Sequence, residues 1–331
     1  MKPQIVPDLL APHLREPLEL GPVYAQESGE IKEGELVAAG SGRRYPVKNF
    51  IPRFVEDDAY TASFGEQWHR YRRTQIDRFN GTNLSQERFY SGTGWSPAEL
   101  AGQRVLEVGC GAGRFTQILL DAGAEAWSLD YSAAVDACWE NLGPQPGLQV
   151  FQGDLYALPF REEFFDKVFC YGVLQHTPDP PRAFMSLIPF LKPGGKIAMD
   201  IYLKTAWTDR WRSKYYYRWL TKRLPRNALR RLVEWYVPRW LPLDDFCQHL
   251  PVLRRIMPVL VPCWNYRGLL PLTDRQIREW AILDTFDALS PRYDFPQTLP
   301  EVRSWFEQAG LKNIDVRPGG NGILGNATRQ E

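Results

Sequence analysis

The run Val105-Leu-Glu-Val-Gly-Cys-Gly-Ala-Gly-Arg-Phe-Thr116 places three glycines at alternate positions where a short apolar strand gives way to a helix. Without a Cβ, Gly109, Gly111 and Gly113 let the turn take unusual φ/ψ values and let a nucleoside pack against the main chain at the strand's carboxyl end. Asp130 follows Gly113 by 17 residues and ends the next apolar run. A carboxylate there accepts both hydroxyls of a ribose. A dinucleotide enzyme uses the same two features, but its fingerprint is Gly-x-Gly-x-x-Gly, spaced to seat a pyrophosphate on a helix N-terminus. Here the pattern is Glu-x-Gly-x-Gly-x-Gly, with Glu107 inside the strand.

These groups need elements to hold them. Between Gln103 and Leu203, apolar runs at Val105–Val108, Ala126–Leu129, Leu148–Gln152, Lys167–Tyr171 and Lys196–Ile201 predict strands. Helical stretches at Arg114–Ala122, Ala133–Leu142 and Arg182–Leu191 separate them. Such alternation predicts an α/β fold, a parallel sheet with helices on both faces. It resumes with helices near Asp274–Leu283 and Pro300–Ala309, then strands at Asn313–Arg317 and Gly322–Ala327. Ahead of it, a Pro- and Gly-rich stretch to about Asp58 offers strand-like runs at Glu35–Ala39 and Tyr45–Phe54 and reads as a small β module. From Phe64 to Phe79 a polar helix with Phe64, Trp68, Tyr71 and Phe79 is expected, either packing on the core or covering a ligand.

Four further segments match one family in order, and with the glycine run they make the chain resemble a class I S-adenosylmethionine-dependent methyltransferase. Leu129-Asp-Tyr-Ser132 is similar to its ribose-binding loop, and Gln152-Gly-Asp-Leu-Tyr-Ala-Leu-Pro-Phe160 to its adenine-binding loop. Phe165–Asp179 is similar to its fourth strand and following loop, and Leu191-Lys-Pro-Gly-Gly-Lys196 to the turn into its fifth. The resemblance covers about 103–203 and, more weakly, 273–329. It implies a Rossmann-like seven-stranded sheet with a final antiparallel strand, S-adenosylmethionine as cofactor, S-adenosylhomocysteine as product, and no metal. By the same resemblance Glu107 helps hold the methionine amino group, Gly109 and Gly111 pass under the cofactor, and Asp130 takes the ribose. Tyr131 packs on the adenine, Asp154 accepts its amino group, Tyr171 lies beside the methionine portion, and Cys110, Gly113, Leu155 and Gln175 are also expected among the cofactor-binding residues. Tyr45–Phe54 looks like the end of a zinc-ribbon-like domain that precedes some methyltransferases, yet residues 1–60 contain no cysteine, so a metal would be lost. The implied division is a β module over 1–60, a cofactor-binding core over 61–202, a helical cap over 203–270 and the rest of the core over 271–331.

Methyl transfer from a sulfonium needs chiefly alignment and exclusion of water. A hydroxyl acceptor also gains from a base, and His176, after the fourth strand at the ligand-binding edge, is the first candidate; the alternative is a histidine that only fixes the loop. His69 ranks second, whereas His13 and His249 have no motif around them. Acceptor choice is expected in 203–270, through Trp207, Trp211 and Tyr215. That segment holds fourteen Lys and Arg against four Asp and Glu, so it carries +10 and the remainder −9; six of the twelve tryptophans lie there too. An aromatic pocket for a planar or apolar acceptor, a membrane-surface contact reaching a lipid-linked acceptor, and an RNA-binding patch all fit this composition. An anionic or lipid-linked small molecule ranks above RNA, because no RNA-binding module is recognisable. A non-catalytic scaffold is the rival outside enzymes.

Composition bounds the rest. The 331 residues, 44% hydrophobic with a net charge of +1, describe a globular protein large enough for a substantial core. No secretory signal is expected, and the apolar stretch Ile256–Tyr266 is far shorter than the ~20 residues of a spanning helix, so a cytoplasmic protein is expected. Cys110, Cys138, Cys170, Cys247 and Cys263 stand singly, without a Cys-x-x-Cys pair, and read as thiols.

Overall fold

The computed structural model describes residues 1–55, 70–204 and 213–331. Near the N-terminus, β1 (Leu18–Glu27), β2 (Glu30–Ala38), β3 (Arg44–Lys48) and β4 (Ile51–Pro52) form an antiparallel meander. Ser28 and Gly29 join β1 to β2 with φ of 53° and 79°, the left-handed pair that a two-residue hairpin turn requires. Asn49 and Phe50, at φ 51° and 68°, make a second such turn, which splits the run Tyr45–Phe54 into β3 and β4.

The meander continues onto the main sheet. Arg53 bridges Gln152 in parallel, the Phe54 N–H donates to the Gln152 carbonyl at 2.8 Å, and Leu9 pairs with Phe160. Leu9, Leu36 and Val47 accordingly share one apolar cluster with Leu106, Trp127 and Phe151 of the large sheet.

That sheet contains β5 (Arg104–Val108), β6 (Glu125–Asp130), β7 (Leu148–Gln152), β8 (Phe165–Cys170), β9 (Leu191–Ile201), β10 (Lys312–Gly319) and β11 (Gly322–Thr328). Their order is β10-β11-β9-β8-β5-β6-β7, with β5 to β9 parallel and β11 antiparallel to both neighbours. The parallel strands are nearly continuous apolar runs because helices cover both faces. Strand order reverses between β5 and β8, which opens a crevice at their carboxyl ends. β9 starts five residues before the expected Lys196: Leu191 pairs with Phe165, and a register shift with Gly194 at φ 74° absorbs the intervening turn.

The covering helices are short. Before β5 come α1 (Asp77–Asn80), α2 (Leu84–Thr93) and α3 (Pro97–Leu100). The helix expected over 64–79 is corrected for its described part, since Arg70 is helical but 71–75 is turn and α1 begins only at Asp77; Phe64, Trp68 and His69 lie outside the described residues. Within the sheet run α4 (Thr116–Asp121), α5 (Ala134–Leu142) and α6 (Pro180–Met185). The last ends short of the expected Leu191, where Pro189 sits in a separate 3-10 turn.

After β9 come α7 (Ser213–Thr221), α8 (Arg226–Gln248), α9 (Leu253–Leu260), α10 (Asp274–Leu289) and α11 (Leu299–Gln308). Leu229, Val233, Val237 and Leu241, one residue per turn of α8, pack on Ala281, Ile282, Phe286 and Leu289 of α10. Thr273 starts α10 through a capping box with Gln276. Among the described residues no helix is long and apolar enough to cross a membrane.

Candidate functional site

A cavity of about 990 Å³ opens at the carboxyl ends of β5, β6 and β8, floored by the glycine turn and walled by α2, α7 and α10. Gly109, Gly111 and Gly113 all have positive φ, 78°, 52° and 91°. Packing adds a second demand: a Cβ on Gly109 would overlap the Val173 side chain, and one on Gly113 would lie 2.6 Å from Leu142 Cδ1. Asp130 fastens this turn to its own loop. Its Oδ2 accepts the Gly111 N–H at 3.0 Å, and Oδ1 accepts the N–H and hydroxyl of Ser132 at 2.8 and 2.7 Å. Burial raises its carboxyl above the ordinary aspartate range, partly countered by those bonds. Asp154 caps a one-turn helix by accepting the Tyr156 N–H on Oδ1 at 2.9 Å; its Oδ2 has no hydrogen bond among the described residues.

Further along, Tyr171 is buried and its hydroxyl has no partner among the described residues. The Arg88 guanidinium lies 5.8 Å from the centre of its ring and donates to Asp200 at 2.6 Å. Asp200 also accepts the Gly172 N–H at 2.5 Å and the Asn321 amide at 3.3 Å, so one carboxylate ties α2, the loop after β8 and the β10–β11 turn.

The remaining wall is aromatic and polar. His176 Nδ1 lies 3.0 Å from the Tyr293 carbonyl. A carbonyl only accepts, so Nδ1 carries the proton and Nε2 the lone pair. Burial pushes its pKa down to about 4, keeping the imidazole neutral near pH 7. Lys214 pairs with Asp294 at 3.0 Å, Tyr266 donates to Asp284, and Gln75 bridges Asp284 and Arg114 at 3.1 and 3.0 Å. Trp264 and Trp280 complete this part of the lining.

Residues 106–199 match the family described as a methyltransferase domain. That stretch is a methyltransferase domain. The chain is similar to the ubiquinone biosynthesis O-methyltransferase of Pseudomonas putida, 34% identical over 103 residues that make up 30% of this chain and 44% of that protein. With the enzyme of the same name from Coxiella burnetii it is 34% identical over 100 residues, 30% of this chain and 43% of that one. It thus spans less than half the length of the curated relatives it matches. Among solved structures, magnesium protoporphyrin IX methyltransferase from Synechocystis with bound S-adenosylhomocysteine aligns with 82% of this chain and 97% of its own, at 18% identity and a TM-score of 0.44.

The cofactor of such a domain is S-adenosylmethionine, and the residues present suit it: a glycine turn, the strand-end carboxylate of Asp130, an open Asp154 oxygen and the orphaned Tyr171 hydroxyl. Of the residues expected at the site, Gly109, Cys110, Gly111, Asp130, Tyr131, Asp154, Leu155, Tyr171, His176 and Tyr215 line the cavity. Three do not. Glu107 is 1% exposed, and its Oε2 accepts hydroxyls of Thr116 and Ser128 at 2.5 and 3.0 Å, tying β5 to α4 and β6 behind the cavity wall. Burial raises its carboxyl to about 7, against those bonds. Gly113 packs under α5, and Gln175 is fully buried behind the wall with its amide unpartnered among the described residues. Trp207, Trp211 and His69 lie outside the described residues.

Motif reading missed Arg88, Arg114, Asp200, Asp284 and Trp280 of the methyltransferase cavity. Asp200 carried a usable signal, since it stands near the carboxyl end of a parallel strand as Asp130 does. Among the described residues 213–270, Lys214 is the only cation that lines the cavity, and it is already paired with Asp294.

Proposed function

We propose that the chain transfers the methyl group of S-adenosylmethionine to an oxygen or nitrogen of a small acceptor, with oxygen favoured. The observation that carries this reading is His176, a neutral imidazole whose Nδ1–H is committed to a carbonyl, in the wall of the cavity that Asp130 and Asp154 also line. S-adenosylmethionine supplies a methyl group already activated on a sulfonium. Asp130 accepts from the ribose hydroxyls and the open oxygen of Asp154 from the adenine amino group, with Tyr131 and Leu155 against the base. Arg88 and the Tyr171 hydroxyl offer donors to the amino-acid carboxylate. A hydroxyl acceptor that reaches the buried Nε2 of His176 would give up its proton there; the basicity of the ring is low, so the proton moves as bond formation acidifies the oxygen.

The walls do the rest by orienting the acceptor and excluding water. Trp264, Tyr266, Leu270, Trp280 and Leu283 favour a planar or apolar acceptor bearing a hydroxyl; Arg88 and Lys214 are already paired with carboxylates, which leaves Arg114, bonded to Ser85 and Gln75, as the lining cation open to any anionic group on it. The name of the Pseudomonas relative supports an oxygen acceptor, though the likeness is confined to the cofactor half of the site.

Isothermal titration with S-adenosylmethionine, S-adenosylhomocysteine and NAD tests the first half. Saturable binding of the first two alone is expected, and binding of NAD instead overturns the reading. Transfer of labelled methyl to a panel of phenols, alcohols and amines tests the second; turnover of amines alone removes the role given to His176.

A further inference from the structure

The helices after β9 carry part of their polarity inside out. On α7 the inward side chains are polar: Lys214 meets Asp294, Arg218 donates to the carbonyls of Ala288 and Pro291 at 3.0 and 2.9 Å, and Thr221 donates to that of Leu289 at 2.9 Å. The opposite side of α7 turns Tyr216, Trp219 and Leu220 outward, Trp219 at 60% exposure. α8 has a second stripe besides the one that packs on α10. Leu232, Trp235, Leu243 and Phe246 recur at helical spacing with Arg239 among them, Trp235 and Phe246 at 58% and 64% exposure. At 3.6 residues per turn this stripe stands roughly 140° around the helix from the buried one. α9 buries no residue, and it and its N-cap expose Val252, Ile256 and Leu260 at four-residue intervals. Tyr217 joins α7 to α9 by donating to the Leu260 carbonyl at 3.1 Å.

Charge on these helices is sorted as well. Over the described residues 213–270 the carboxylates are Glu234, Asp244 and Asp245, and all are engaged: Glu234 by Arg70 and Tyr71, the other two by Asn265, with Arg267 also on Asp245. The exposed Lys222, Arg223, Arg231, Arg239, Arg254 and Arg255 have no carboxylate partner among the described residues. Two of them lie against the outward tryptophans, Arg223 at 5.9 Å from Trp219 and Arg239 at 5.1 Å from Trp235.

We infer that the outward surface of α7, α8 and α9 docks on an anionic lipid bilayer. A water-facing surface ordinarily mixes both signs of charge and hides large aromatics. This one keeps unpaired cations beside tryptophan, phenylalanine and leucine, the composition of helices that lie in the headgroup layer. Charge complementarity selects the occupant: anionic headgroups attract each cation, whereas a second copy would bring like charge against like. The inner side of α7 lines the cavity through Lys214 and Tyr215, so a docked surface sits one helix diameter, about 10 Å, from the site. The inference rests on exposure and charge and does not depend on the acceptor proposed above.

Flotation of the full chain with vesicles tests it, using phosphatidylcholine alone or mixed with phosphatidylglycerol. The protein is expected to float with the mixed vesicles only, and less as salt rises. Arg254→Gln with Arg255→Gln should weaken partitioning roughly 25-fold, about fivefold per cation. Trp219→Glu with Trp235→Glu should abolish it, while S-adenosylmethionine titration reports that each variant is folded; should the tryptophan pair unfold, the arginine pair decides alone. Wild-type protein that stays at the bottom, floats equally with neutral vesicles, or floats undiminished in the folded variants overturns the inference. So does a dimer in sedimentation velocity that Trp219→Glu dissociates, since the surface then belongs to a second copy.

Discussion

Replacing Gly109 with alanine separates two reasons for a glycine at the foot of the cavity, room for a ligand and room for the protein's own Val173. The residue has φ 78°, a conformation that costs an alanine about 1–2 kcal/mol. Its new methyl would also overlap Val173, whose Cβ and Cγ1 both stand at 3.3 Å from the Cβ position, so rotating this β-branched side chain offers no escape. Overpacking of this kind costs about 1–3 kcal/mol, for a total of about 2–5 kcal/mol. Val173→Ala should remove the overlap but leave the dihedral cost. Equilibrium urea unfolding of wild type, both single variants and the double variant forms a cycle. The double variant should be more stable than the sum of the singles predicts by about 1–3 kcal/mol. A coupling within about 0.5 kcal/mol of zero would refute the packing argument and return the glycine to ligand approach alone.

Asp130→Ala removes the acceptor of the Gly111 and Ser132 N–H groups together with the proposed ribose ligand, so cofactor affinity in calorimetry should fall by about 2–4 kcal/mol; unchanged affinity would move the nucleotide site elsewhere. His176 has a depressed pKa in the fold, so the unfolded chain binds the extra proton first: stability should fall by about 3 kcal/mol as pH drops from about 6.5 to about 4, and His176→Ala should flatten that slope. Glu107 is the converse case. Its raised carboxyl favours the fold at low pH and costs about 3 kcal/mol as pH climbs from about 4.5 to about 7, a slope that Glu107→Gln should remove in pH-dependent unfolding.

The parts of the site visible in the sequence are those in which one short segment carries both the backbone demand and the chemistry. The glycine turn, Asp130 and Asp154 each follow a buried strand, and a parallel sheet sends every such strand end to one edge. Arg88, Asp200 and Asp284 meet at the cavity from α2, β9 and α10, and no local pattern announces a pairing such as Arg88 with Asp200 across 112 residues. β1 escaped notice because it is an edge strand, mostly exposed and interrupted by Gly21 and Pro22, so it lacks the apolar alternation that marks β2. Glu107 was visible as a motif residue but not as a buried one. Its company, Thr116 and Ser128, becomes adjacent only when β6 lies beside β5.

The junction at Gln152 has a practical side. The last residue of β7 is held on its open flank by Arg53 and Phe54, and the apolar filling of the meander is continuous with that of the sheet. A gene fragment beginning at the glycine run would therefore encode a sheet with one border stripped of its partner and a greasy seam laid bare. Anyone recombining this chain with a relative should move residues 1–55 and β7 as one cassette, because they share edge hydrogen bonds and one apolar cluster.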